Sequence, residues 1–236
     1  HPLPVQPDRF LCPSELDFDI YGCSIIDIPV SDEIVDNARH RDTAVTFVHN
    51  AGHGGLLGRN GTQELLQAIP LVKSDAQFVI RTQDISGDTW ESFMEMMRNR
   101  RPNQKISIER GTRSRGRLFD VGDVFLFPDK FNGLSLPLQE AYASGMAVMS
   151  TCRYPASQWL PNDPMIPVDG YETRKVGRGT REFESAVVTP YTIASTIDKW
   201  YGKDISRLSS MGVEWGKRFS WKNQAKRFKK ILHNII

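Results

Sequence analysis

The stretch that most restricts the fold runs from Asp123 to Thr151, DVFLFPDKFNGLSLPLQEAYASGMAVMST. Val124, Phe125, Leu126 and Phe127 form a short apolar run without a polar position, the pattern of a strand buried on both faces. Pro128 ends it. Asn132, Gly133 and Ser135 make a turn, and a helix is predicted from Leu136, with Ser135 as its cap. Pro137 falls in the first turn, where a missing amide costs nothing. Gly145 stops that helix one residue before the next apolar run, Ala147 to Met149. A buried strand, a glycine-bearing turn and a helix start offer free amides and the positive end of a helix dipole, so the turn is a candidate anion site. Glu140 is the carboxylate in the second turn of that helix.

The same grammar recurs upstream. Val45 to Val48 reads as a buried strand, followed by HNAGHGGLLGRNG with its five glycines, then a helical pattern in TQELLQAIPLV. Thr62 and Glu64 suit a helix start. The glycine spacing fits neither the Walker pattern nor G-x-G-x-x-G, so recognition of a phosphate or sugar by backbone amides and plain tight turning are both open. The next strand is Gln77–Arg81, which puts Arg81 at its carboxyl end, the edge where open α/β sheets bind ligands; a solvated arginine is the alternative. A helix over Asp88–Arg98 carries Trp90, Phe93, Met94 and Met97 on one stripe, expected to be core. Lys105–Ile108 reads as a strand, and a helix is expected over about 112–120.

Before the first unit, residues 1 to about 24 read as a proline-punctuated connector. Ser24–Val30 is a short strand closed by a proline, and 31–43 a helical turn or loop. After the central stretch, Met165–Val168 reads as a strand and 169–188, rich in glycine and cations, as a mobile loop. Thr189-Pro190 opens a helix through Trp200 and Tyr201. Two more helices are expected at about 204–217 and 222–234, with Ser220 capping the last. Strand and helix alternate, then helices follow one another. The fold class is therefore α/β: a Rossmann-like parallel sheet with helices on both faces and a helical C-terminal extension.

Composition narrows the function. The chain has 236 residues, 39% hydrophobic and 25% charged, enough for one large domain or one domain plus a fragment. Its opening without Met fits a piece of something longer. The formal net charge of +2 supplies no global field toward nucleic acid or membrane. Arginines and lysines crowd residues 98–117 but lack aromatic interleaving, which leaves a nucleic-acid-directed transferase as a minor alternative. No apolar run approaches the roughly 20 residues that span a bilayer. The N-terminus lacks the charged and apolar regions of a signal peptide. Cys12, Cys23 and Cys152 are odd in number and unclustered, which points to reduced thiols in a cytoplasmic setting. Asn60-Gly61-Thr62 matches a glycosylation sequon that no secretory signal supports.

The central stretch resembles the C-terminal, nucleotide-sugar-binding domain of GT-B-fold glycosyltransferases, of the kind grouped as family four. The matching residues are Pro128, Asn132, Gly133, Leu134, Ser135, Leu136, Pro137, Glu140, Ala141 and Gly145. Ile26-Asp27-Ile28-Pro29, Arg59-Asn60-Gly61 with Leu65, Leu66 and Ala68, and Phe219-Ser220-Trp221 are similar to flanking pieces of that domain, and Cys12-Pro13-Ser14 to the end of the domain before it. The resemblance implies one half of a GT-B fold, with 1–24 as the tail of a preceding domain and 25–236 as the nucleotide-sugar-binding domain. It implies a retaining glycosyltransferase in which Glu140 accepts hydrogen bonds from the ribose. The turn of Asn132, Gly133, Leu134 and Ser135 would hold the diphosphate with help from Arg59 or Arg81 and the amides of Gly52, Gly54 and Gly55. Asn50 and Asn60 stand where the family carries its phosphate-gripping arginine and lysine, and Asn132 where it carries its first carboxylate. The implied partners are a nucleotide-sugar donor and an acceptor-binding half missing from this chain, which would hold the groups that act on the acceptor. No metal is expected, and peripheral membrane contact is left open. A catalytically degenerate binding or scaffolding domain is the alternative that these departures raise.

Overall fold

The computed structural model describes residues 11–12, 24–25, 27–52, 58–83, 87–176 and 181–233. Its strands are β1 (Leu11–Cys12), β2 (Ser24–Ile25), β3 (Thr46–Gly52), β4 (Gln77–Thr82), β5 (Ile106–Arg110), β6 (Val124–Phe127), β7 (Ala147–Ser150), β8 (Gly170–Val176) and β9 (Arg181–Val187). Its helices are α1 (Asp32–Asp36), α2 (Thr62–Ala68), α3 (Gly87–Asn99), α4 (Leu136–Ala143), α5 (Ala156–Trp159), α6 (Pro190–Trp200), α7 (Ser206–Arg218) and α8 (Trp221–His233).

Five parallel strands form the central sheet in the order β5-β4-β3-β6-β7. The unbroken apolar run of β6 has a direct cause. Its side chains alternate between two cores: Val124 and Leu126 pack with Phe47, Phe78, Phe93, Leu65 and Ile193 on one face. Phe125 and Phe127 pack with Val48, Leu138 and Tyr142 on the other. Each fully buried side chain of this size is worth about 1.5–3 kcal/mol, so both faces contribute strongly. Helices α2, α3 and α6 cover the first face, and α1, α4 and α7 the second. Helix α7 approaches α4 closely because Gly212 meets it: a Cβ there would overlap the Tyr142 carbonyl.

Several expectations are corrected. The helix expected over 112–120 is a single 3-10 turn at Arg115–Arg117. Arg110 to Arg115 is exposed throughout, so the segment has no apolar stripe to bury. The strand over Ser24–Val30 is shorter: β2 pairs with β1, and Val30 makes an isolated parallel bridge with Ser220. The strand at 165–168 reduces to one bridge between Ile166 and Thr151. The segment read as a mobile loop is an antiparallel hairpin, β8–β9, whose charges sit on cross-strand positions such as Lys175 and Glu182. On α3, Phe93 and Met96 are buried, whereas Trp90 and Met94 are exposed. Cys12 carries a disulfide, against the reduced thiols expected; Cys152 is a free, exposed thiol. No helix among the described residues is long and apolar enough to cross a membrane.

Candidate functional site

Strands β3 and β6 are neighbours, yet the chain leaves them for opposite faces, to α2 and α4. A crevice therefore opens at their carboxyl ends. Its two loops are sewn together. Gly61 adopts φ +66° at the start of α2 and lies so close to the Pro128 carbonyl that a Cβ would overlap it. The Lys130 amide donates to the Arg59 carbonyl at 2.7 Å, and the Lys130 ammonium pairs with Glu64 on α2. Asn60 donates its side-chain amide to the Ala51 carbonyl at 3.2 Å.

His49, which the sequence reading passed over, anchors the same corner from below. Its Nδ1 lies 2.8 Å from the Leu126 carbonyl, which can only accept, so Nδ1 carries the proton. Nε2 then accepts from the Thr62 hydroxyl at 2.8 Å. Complete burial pushes the imidazole pKa down to about 4 against the opposing pull of that carbonyl.

The β6–α4 loop has its own support. Asp129 is fully buried, accepts from the Ser150 hydroxyl at 3.0 Å and pairs with Arg153. Burial pushes the Asp129 carboxyl above the usual range, opposed by Arg153 and Ser150. Arg153 also donates to the carbonyls of Asn132 at 3.3 Å and Tyr154 at 2.6 Å, which fixes the ridge that follows. Asp129 and Arg153 escaped sequence reading because their pairing spans 24 positions. The only local signal was a charged residue two positions after a fully buried strand.

The crevice has a volume of about 610 Å³. Asn50, Arg59, Asn60, Asn132, Gly133, Leu134 and Ser135 all line it, with Phe127 at the base and Leu136 and Pro137 from α4. None of its described lining residues is acidic. Ser135 departs from expectation: it is left-handed, φ 53°, and its side chain does not cap α4. A non-glycine residue there is strained, because its Cβ crowds the following carbonyl. Its hydroxyl, on a residue only 7% exposed, is buried without a hydrogen-bond partner among the described residues, as is Asn50 Oδ1. No described residue accepts from the amides of Gly133, Leu134, Ser135 or Leu136. The Arg59 guanidinium likewise has no ion pair or side-chain hydrogen bond with any described residue.

The two remaining predicted residues lie outside the lining. Glu140 stands one turn beyond Leu136, on the same face of α4. Its half-buried carboxyl is pushed up by desolvation, with Arg115 opposing. Arg81 is committed elsewhere: it donates to Glu109 at 2.7 Å, to Asp120 at 2.9 Å and to the carbonyls of Arg117 and Leu118. Gly54 and Gly55 lie outside the described residues. Among the described residues no group of His, Cys, Asp and Glu is arranged to hold a metal ion.

No family model and no curated protein matches the chain. Solved structures do. A glycosyltransferase from Rickettsia africae ESF-5 is 14% identical, with a TM-score of 0.64 over 90% of this chain and 57% of that one. A Staphylococcus aureus TarM variant, solved with fondaparinux, alpha-GlcNAc-glycerol and UDP, is 13% identical, with a TM-score of 0.65 over 94% of this chain and 43% of its own. The pneumococcal O-GlcNAc transferase GtfA, solved with UDP and GlcNAc, is 12% identical, with a TM-score of 0.61 over 97% and 45%. The fold is thus that of GT-B glycosyltransferases, and the chain spans roughly half of the length of these structures.

Proposed function

We propose that this chain is the donor-binding half of a retaining, nucleotide-sugar-dependent glycosyltransferase. The carrying observation is a run of donors without a partner among the described residues at the start of α4: the amides of Gly133 to Leu136 beside the Ser135 hydroxyl, in a crevice whose described lining holds no acidic residue. The Ser135 hydroxyl is buried without a partner among the described residues, which costs about 1–3 kcal/mol, and a ligand with acceptor oxygens removes that cost. A diphosphate fits, because its oxygens accept and its charge suits a helix N-terminus. Among the described lining residues Arg59 is the cation without an ion pair, and it can join the diphosphate. Asn50 Oδ1 needs a donor, which a sugar or ribose hydroxyl supplies.

Breaking the bond between the sugar and the diphosphate leaves negative charge on the departing phosphate. The amides and Arg59 stand ready to stabilise that charge without rearranging. This supply of positive charge is our reason for proposing that no divalent cation is required. Glu140, one turn further along α4, accepts from the ribose hydroxyls. Arg81 belongs to the scaffold. The fold likeness and UDP in two of the similar structures support the donor class.

Calorimetry with UDP, GDP, ADP and TDP tests the reading. At least one should give saturable heat that survives a chelator; a folded chain silent to all of them overturns it. Glu140→Ala should weaken the productive nucleotide by about 1–3 kcal/mol. Unchanged affinity removes the ribose role.

One observation favours a second reading, a nucleotide-sugar binder without catalysis. The ridge carries Asn132 where the resembling family has a carboxylate, and the nearby Asp129 carboxylate is consumed by Arg153. Full-length protein that releases nucleotide from a sugar nucleotide excludes that reading.

A further inference from the structure

A second cleft, of about 510 Å³, lies across the Asn132–Gly133 ridge and shares Arg59, Asn132 and Gly133 with the first. Its outer wall is the β8–β9 hairpin, which is docked rather than free. The Ala186 amide donates to the Lys130 carbonyl at 2.8 Å. Phe183 meets Phe131 edge to face with ring centres 4.7 Å apart, and the Arg174 guanidinium lies 5.8 Å above the Phe131 ring. Tyr171 stands on the same wall with 58% of its surface in water.

The chemistry of this lining differs from that of the first crevice. Lys130 and Arg153 are neutralised by Glu64 and Asp129, and Glu184 adds a carboxylate. A strongly anionic occupant would gain little. What the lining offers is aromatic surface from Tyr171 and Phe183, acceptors in Glu184 and Asn132, and donors in Arg59 and the Gly133 amide. A sugar ring matches that mixture. Its C–H faces suit the electron-rich faces of aromatic rings. Its hydroxyls each donate and accept, and so use both kinds of polar partner.

We infer that this cleft is a subsite for a neutral saccharide. Describing that saccharide as part of a glycan acceptor rests on the donor reading; its binding does not. A saccharide seated here lies against the ridge that also bounds the donor crevice, so one of its hydroxyls can be presented there.

Saturation-transfer NMR of the full chain with maltotriose, mannotriose and triacetylchitotriose tests the subsite, with UDP titrated in parallel. At least one trisaccharide should show saturable transfer at millimolar concentration. Tyr171→Ala and Phe183→Leu should each weaken it at least fivefold and leave UDP affinity within twofold. Tyr171 is exposed enough for its variant to stay folded should Phe183→Leu loosen the hairpin. No transfer from any trisaccharide to folded protein overturns the subsite, as does unchanged binding in Tyr171→Ala. A matching loss of UDP affinity overturns it too, by making the cleft part of the donor site. Saccharide binding in a chain that ignores every nucleotide supports the subsite and removes the donor reading instead.

Discussion

Arg59 and Arg81 stand at one edge of one sheet, Arg59 after β3 and Arg81 near the end of β4, and their guanidiniums have opposite fates. Arg81 is almost fully buried, held between two carboxylates and two carbonyls. Arg59 faces two clefts and meets no described carboxylate. The difference lies in what the neighbouring loops provide. The β5 end and the turn after it bring Glu109 and Asp120 to Arg81. The loops beside Arg59 bring amides, asparagines and a strained serine, none of which neutralises it. An arginine at a strand end is a ligand candidate only where the structure leaves its charge unspent.

That contrast can be broken, and the largest effect lies beneath the Arg59 half. Gly61→Ala forces a Cβ against the Pro128 carbonyl at a left-handed backbone position. It should cost about 3–4 kcal/mol of stability in urea denaturation. A loss under 1 kcal/mol would show that the two loops are not locked together.

Acid should attack the same corner. His49 protonates near pH 6.5 in the unfolded chain and only at about 4 in the folded one, so the unfolded state binds more protons between these values. Its contribution is intact above about pH 6.5, falls as pH drops, and is fully lost below about 4, roughly 3 kcal/mol in all. Denaturation at several pH values would show the slope, and His49→Gln should flatten it.

The arginines themselves give the intermediate effects. Arg81→Met should cost about 2–3 kcal/mol of stability, because two carboxylates lose their cation, and leave affinity for the chain's productive nucleotide diphosphate unchanged. Both carboxylates are partly exposed, which holds the loss below that of a fully buried pair. Arg59→Met should change stability by less than about 0.5 kcal/mol and weaken binding of whichever nucleotide calorimetry identifies about tenfold or more. Equal stability losses would erase the distinction. The smallest effect is Ser135→Gly, which relieves the left-handed strain and should raise stability by up to about 1 kcal/mol. It also removes the hydroxyl, so affinity for the same nucleotide should fall a few fold.

The sheet was legible because its signals are local. The run from Val124 to Phe127 is apolar since both faces of β6 are covered, and a four-residue window contains that fact. The β8–β9 hairpin was not legible. Its stability comes from pairing across the strands and from docking on Phe131, so glycines and charges dominated the reading of 169–188. The candidate site divides likewise. The Asn132–Ser135 turn could be found from its neighbours in sequence. The commitments of Arg81 and Arg153 depend on residues 21–39 positions away, which a linear pattern does not carry. Residue type makes Ser135 a natural cap, but its backbone torsion directs the hydroxyl elsewhere.

The crossing of Val30 with Ser220 has a mechanical consequence. The Val30 amide donates to the Phe219 carbonyl at 2.9 Å, and the Trp221 amide donates to the Val30 carbonyl at 3.2 Å. The two segments run parallel. Tension applied at residue 27 and at residue 233 would therefore pull them in opposite directions and stretch both bonds together, in shear. This clasp stands ahead of the sheet in the path of the force, so a pulling experiment should register its rupture as a separate early event.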